Sequence, residues 1–83
     1  MKKESQTVRV AKRLVKYGSI TTSEAMSQMY ITRLAARIGN IKDAIPIEID
    51  VEMIKWGDSR QARYSVNEKE KFYLNHCLNE GQL

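Results

Sequence analysis

A chain of 83 residues has room for one hydrophobic core and is read as a single domain, because a core of this size buries only somewhat more than ~60% of the surface its unfolded chain exposes. Its 14 lysines and arginines outnumber 10 acids for a net charge of +4, which points toward a polyanionic partner, while its one cysteine excludes an internal disulfide and fits a reducing compartment. No apolar run nears the ~18 residues of a membrane span, and the opening MKKESQTVRV lacks the apolar stretch of a signal peptide, so the expected location is the cytoplasm.

Residues 1–4 are expected to be disordered. Residues 5–17, SQTVRVAKRLVKY, place Val8, Ala11, Leu14 and Val15 at i, i+3, i+6 and i+7, the stripe of a helix, with Arg9, Lys12, Arg13 and Lys16 outside it. Gly18 is expected to end this helix in the left-handed conformation. Thr21-Thr22-Ser23-Glu24 matches a capping box, in which a threonine oxygen and a glutamate three residues on satisfy orphan N–H groups reciprocally. It opens a short second helix with Ala25, Met26 and Met29 as its buried residues.

Only Tyr30 and Ile31 are expected before the third helix, about 33–44, which Thr32 can cap. Leu34, Ile38, Ile41 and Ile45 repeat at +4, +3 and +4 as its inward edge, and Arg33, Ala36, Arg37 and Asn40 repeat at +3, +1 and +3 as a separate edge. Helices joined this tightly cross steeply, as in a helix-turn-helix.

At Ile45-Pro46 the period changes to 2. Ile47, Ile49, Val51 and Met53 alternate with Glu48, Asp50 and Glu52, predicting a strand with one face on the core and an acidic outer face. Gly57-Asp58-Ser59 supplies the turn, and ARYSV returns as a second strand with Ala62, Tyr64 and Val66 on one face. Asn67 is the cap of a fourth helix within 67–80, whose apolar stripe is Tyr73, Leu74, Cys77 and Leu78. Basic charge follows the helices: nine basic residues against two acids fall in residues 1–42, and five against eight in residues 43–83. Charge that only solubilised the surface would mix both signs throughout.

This order predicts an α+β, mostly α, winged helix-turn-helix: three helices, a two-stranded wing and a C-terminal helix. SITTSEAMSQMYITRLAARIGNIKDAIPIEI and ARYSV, within residues 19–66, resemble the small winged helix-turn-helix DNA-binding family common in bacteriophages and prophages. The match is most specific in ITRLAARI. The resemblance implies DNA binding and a viral or prophage setting, with transcription regulation or the direction of recombination as roles.

A helix fits the major groove of double-stranded DNA, and residues near the start of the second helix of such a unit reach base edges. Arg33 and Arg37 can each bond a guanine through O6 and N7, Asn40 can bond an adenine edge, and Ala36 lets the backbone approach closely. Thr32 offers its hydroxyl or N–H to a phosphate, and Arg13 and Lys16 are candidates for flanking phosphates. Lys55, Trp56 and Arg60 form the expected wing tip, Trp56 either exposed for contact or folded back on the core. Arg63 is expected to pair across the hairpin with Glu52 or Asp50, and the acidic row is expected to face away from DNA.

His76 and Cys77 are sequence neighbours that cannot both face one ion, and no second histidine or cysteine exists. With no phosphate-cradling glycine loop either, neither catalysis, a metal nor a cofactor is expected. Tyr73, Leu74, Cys77 and Leu78 either close the core of one chain or form the interface of a homodimer. A protein-binding adaptor or host-takeover factor that grips a protein partner through Trp56 and the fourth helix is the alternative reading.

Overall fold

Ser5 starts the first helix by accepting the Val8 N–H on its hydroxyl at 3.2 Å, and Gly18 ends it at φ 81°, donating its N–H to the Leu14 carbonyl. The computed structural model describes residues 5–83; the expectation of disorder at residues 1–4 lies outside them. The elements run α1 (Gln6–Tyr17), β1 (Ser19–Thr21), α2 (Thr22–Met29), α3 (Leu34–Ala44), β2 (Asp50–Trp56), β3 (Ser59–Ser65) and α4 (Glu68–Asn79). The fold is mostly helical, with an antiparallel sheet of order β1-β3-β2, and has the α+β winged helix-turn-helix architecture.

β1 is the element that the sequence pattern does not announce. Three residues are too few for an alternation to register, and the strand exists because Ser19, Ile20 and Thr21 pair with Ser65, Tyr64 and Arg63 of β3. Gly18 extends this ladder, its carbonyl accepting the Val66 N–H at 2.9 Å. Ile20 is thereby fully buried in the core.

The core is one cluster drawn from every helix. Val10, Ala11 and Leu14 of α1 meet Ala25 and Met29 of α2, Leu34, Ile38 and Ile41 of α3, and Leu74 and Cys77 of α4. Val10 is fully buried, although the predicted stripe passes it by, whereas Val8 and Val15 are only half-buried. Met26 is exposed, contrary to expectation. On a helix of eight residues, Ala25 and Met29 one turn apart are the inward pair, and Met26 falls a further 100° round the helix from Ala25.

The connection between α2 and α3 is four residues, 30–33, rather than two. Tyr30 takes the left-handed conformation at φ 57° and points outward, and Ile31 plunges into the core as its N–H donates to the Ala25 carbonyl at 2.9 Å. Thr32 does not cap α3. Arg33 occupies the cap position at φ −120° and ψ 60°, with no side-chain cap bond. Two of the four loop residues are used in bringing Ile31 inward, and this displaces the helix start by one.

The predicted core-facing strand needs a second correction. Ile47 and Ile49 are buried but precede the ladder; within β2 itself, Val51 and Met53 are 61% and 59% exposed. The alternation therefore continues after the core has ended: Met53 pairs with Ala62, past the last residue of β3 that β1 covers, and Val51 is exposed on the outer strand although its partner Tyr64 packs against the core. α4 starts at the Asn67 cap, which accepts the Glu70 N–H at 2.9 Å. It lies against α1 with Leu74 and Cys77 fully buried and Tyr73 and Leu78 packed beside them.

Candidate nucleic-acid interface

Three of the four isoleucine and leucine positions that predict the inward edge of α3, Leu34, Ile38 and Ile41, are buried in the helix, and Ile45 is buried just beyond it. This fixes the helix rotation and leaves Arg33 and Asn40 exposed, with Ala36 and Arg37 half-buried. Neither Arg33 nor Arg37 forms an ion pair among the described residues. Arg37 Nε is buried without a hydrogen-bond partner, so the inner part of that guanidinium lies against protein. Asn40 Nδ2 donates to Thr7 Oγ1 at 3.3 Å and thereby ties α3 to the first turn of α1. Thr32 is exposed beside Arg33.

The two candidates on α1 separate. Arg13 has its side chain only 18% exposed; its Nη2 lies 3.5 Å from Glu24 Oε2 and its guanidinium 4.5 Å from the centre of the Tyr17 ring. It is occupied in holding α1 to the capping glutamate of α2. Lys16 is exposed, its Nζ 5.3 Å from the centre of the same Tyr17 ring. Together with Arg9, Lys12, Tyr17 and Met29, these two line an open surface cleft of about 290 Å³.

At the wing tip, Gly57 and Asp58 form the two-residue turn between the paired Trp56 and Ser59, Gly57 at φ 59°. A two-residue hairpin turn of the primed type requires such a positive φ. Lys55 and Arg60 are direct cross-strand partners, both exposed, and share one face of the hairpin with Met53. Trp56 does not share that side. Strand side chains alternate between faces, so Trp56 lies with Ile54 and Glu52 on the other face, across a cleft of about 460 Å³ from Ser27 and Gln28 of α2. It is 58% exposed and stays out of the core. Glu52 accepts from Arg63 Nη2 in the cross-strand ion pair expected from the sequence.

Sequence reasoning missed Gln61. It is buried, and its Oε1 accepts the Ser23 N–H of α2 at 2.8 Å. A glutamine in a strand that otherwise reads as surface carries no signal of a contact this distant in sequence. His76 is exposed and Cys77 buried, so the two diverge. Among the described residues, no three His, Cys, Asp or Glu side chains come together, and no helix is long and apolar enough to cross a membrane.

A helix pair joined by a tight turn, followed by a hairpin whose root is tied back to the sheet, defines the class of winged helix-turn-helix proteins. The chain belongs to the winged helix-turn-helix domain family, whose pattern matches residues 5–69. That membership suggests DNA as the partner. No curated protein and no solved structure matches the chain.

Proposed function

We propose that the chain is a sequence-preferring double-stranded DNA-binding protein of phage or prophage setting, which regulates transcription or directs recombination by occupying a site. α3 enters the major groove, with Arg33 and Arg37 on guanine edges and Ala36 permitting close approach. The observation that carries this reading is that Arg33, exposed at the cap of the helix after the turn, and Arg37 one turn on, at the margin of its buried edge, have no acidic partner among the described residues. Asn40 reads an adenine by exchanging its exposed bond to Thr7 for the base. Thr32 and Lys16 contact flanking phosphates, while Arg13 contributes through packing.

Lys55 and Arg60 support the same reading from the wing. Like charges directly opposite on a hairpin are destabilising, and a phosphate of the backbone beside Lys55 and Arg60 offsets that repulsion. The acidic row is repelled by phosphate and faces away. Trp56 lies on the face of Glu52, so backbone contact at the wing falls to Lys55 and Arg60. The chain acts by binding, without catalysis.

Anisotropy titration on random duplex at ~50 and ~200 mM salt tests the reading, with a log–log slope of about −0.9 per neutralised phosphate. Binding that weakens at the higher salt and is crippled in Arg33→Ala/Arg37→Ala supports it. A flat salt response refutes it. The exposure of Trp56 beside Ile54 favours one second reading, a protein-binding adaptor. It is supported instead if Trp56→Ala abolishes function while the double arginine variant does not.

A further inference from the structure

The hairpin of β2 and β3 is anchored at one end only. β1 pairs with β3 over Arg63–Ser65, and from Ala62 to the turn no strand but β2 pairs with β3 among the described residues. A two-stranded ribbon alone is at best marginally stable in water, so this distal half would be free to swing about its root. One side chain reaches back across the gap. Gln61 is 9% exposed, the one buried polar or charged residue among those described, and its Oε1 accepts the Ser23 N–H at 2.8 Å. Beside it, Thr22 Oγ1 donates to the Ala62 carbonyl at 3.4 Å.

The bond is also part of the cap of α2. Thr21 Oγ1 accepts the Glu24 N–H at 3.2 Å, and Glu24 Oε1 accepts the Thr21 N–H at 2.9 Å. Ser23 lies between them, and the N–H of a first-turn residue has no partner inside its own helix. The wing supplies that partner. The first turn of α2 is thus completed by β3, and the distal hairpin is held by the helix that leads into α3.

We infer that Gln61 is the positioning residue of the wing: its amide oxygen locks the distal hairpin onto the first turn of α2 and so fixes where Lys55 and Arg60 stand relative to α3. The consequence for DNA rests on the function proposed above; the lock itself does not. A glutamine that merely filled space would be replaceable by any side chain of its volume. A lock requires an acceptor.

Two variants separate these roles. Gln61→Glu keeps an acceptor at the same reach, next to a helix N-terminus that favours negative charge. Gln61→Met keeps the length and removes the acceptor. In the free protein, the Ser23 amide exchange rate and the emission of Trp56 are measured, since Trp56 is the only tryptophan and lines the same cleft as Gln61. Gln61→Met is expected to speed Ser23 exchange by at least ~10-fold, as for a local opening, and to shift Trp56 emission to longer wavelength. Gln61→Glu is expected to do neither.

On duplex DNA, Gln61→Met is expected to lose up to about 2 from the magnitude of the log–log salt slope, the share of two wing cations, while retaining binding through α3. Gln61→Glu keeps the wild-type slope. Unchanged Ser23 exchange in Gln61→Met overturns the lock, and an unchanged slope overturns its role in placing the wing. Failure of the wild-type protein to bind duplex DNA would sink the DNA reading separately, and the lock would then be judged on exchange and emission alone. Should the methionine variant not fold, Gln61→Asn, polar but one methylene short, replaces it in both comparisons.

Discussion

Arg13 and Arg33 carry the same charge and do different work. Arg13 is enclosed by Tyr17 and Glu24 between two helices, and Arg33 stands exposed at the head of α3. The sequence distinguishes neither, because both fall off an apolar stripe, and the difference lies in what the fold brings beside each. Arg33→Ala is expected to cost ~1–3 kcal/mol of discrimination at a single base position, read by site selection followed by competition titration. Arg13→Ala is expected to lower the melting temperature and leave base preference unchanged. Lys55→Ala and Arg60→Ala should each weaken binding evenly across sequences and reduce the salt slope by about 1; a sequence-dependent loss would instead place the wing on bases.

Among the elements, those set by short-range chemistry were the legible ones. Ser5, Thr21 and Asn67 each accept the N–H three residues on, and Gly18 closes α1 as its lack of a Cβ allows. Each cap can be read from adjacent residues. The exposure of Val51 and Met53 and the existence of β1 depend on where β3 runs, information that no local alternation contains. Thr32 failed as a cap for a related reason, the burial of Ile31. Thr21→Ala removes half of a capping box and is expected to cost ~0.5–2 kcal/mol of stability in a denaturant melt. A loss within error would mean that Gln61 and Glu24 hold the first turn of α2 unaided.

For the molecule as a whole, α4 belongs to the core. Leu74 and Cys77 are fully buried against α1, so they are unavailable to a second copy while the described fold is intact, and Tyr73 and Leu78 are partly covered with them. A homodimer remains a proposal whose surface excludes the first two; the exposed face of α4 carries Phe72 instead. Cys77 also gives a direct test of this arrangement. Its alkylation should be slow in the native protein and rise to the rate of a free thiol in denaturant, following global opening. Leu74→Ala should cost ~2–5 kcal/mol, enough to threaten a domain whose total stability is of order 5–15 kcal/mol. The charge asymmetry along the chain is legible from the order of its residues, whereas the division of the wing into a basic side and a tryptophan side requires the register of β2 on β3.

The strand order β1-β3-β2 leaves β2 with a strand neighbour on one side only among the described residues. Its outer row of N–H and C=O groups is therefore a template on which another extended chain could be laid, and Val51 and Met53 offer that visitor an apolar surface. Asp50, Glu52 and Lys55 interrupt the strand with charge and act as gatekeepers against such self-addition. Neutralising them is expected to turn this edge into a point of aggregation, so the alternation that leaves Val51 and Met53 in solvent depends on the charges set between them.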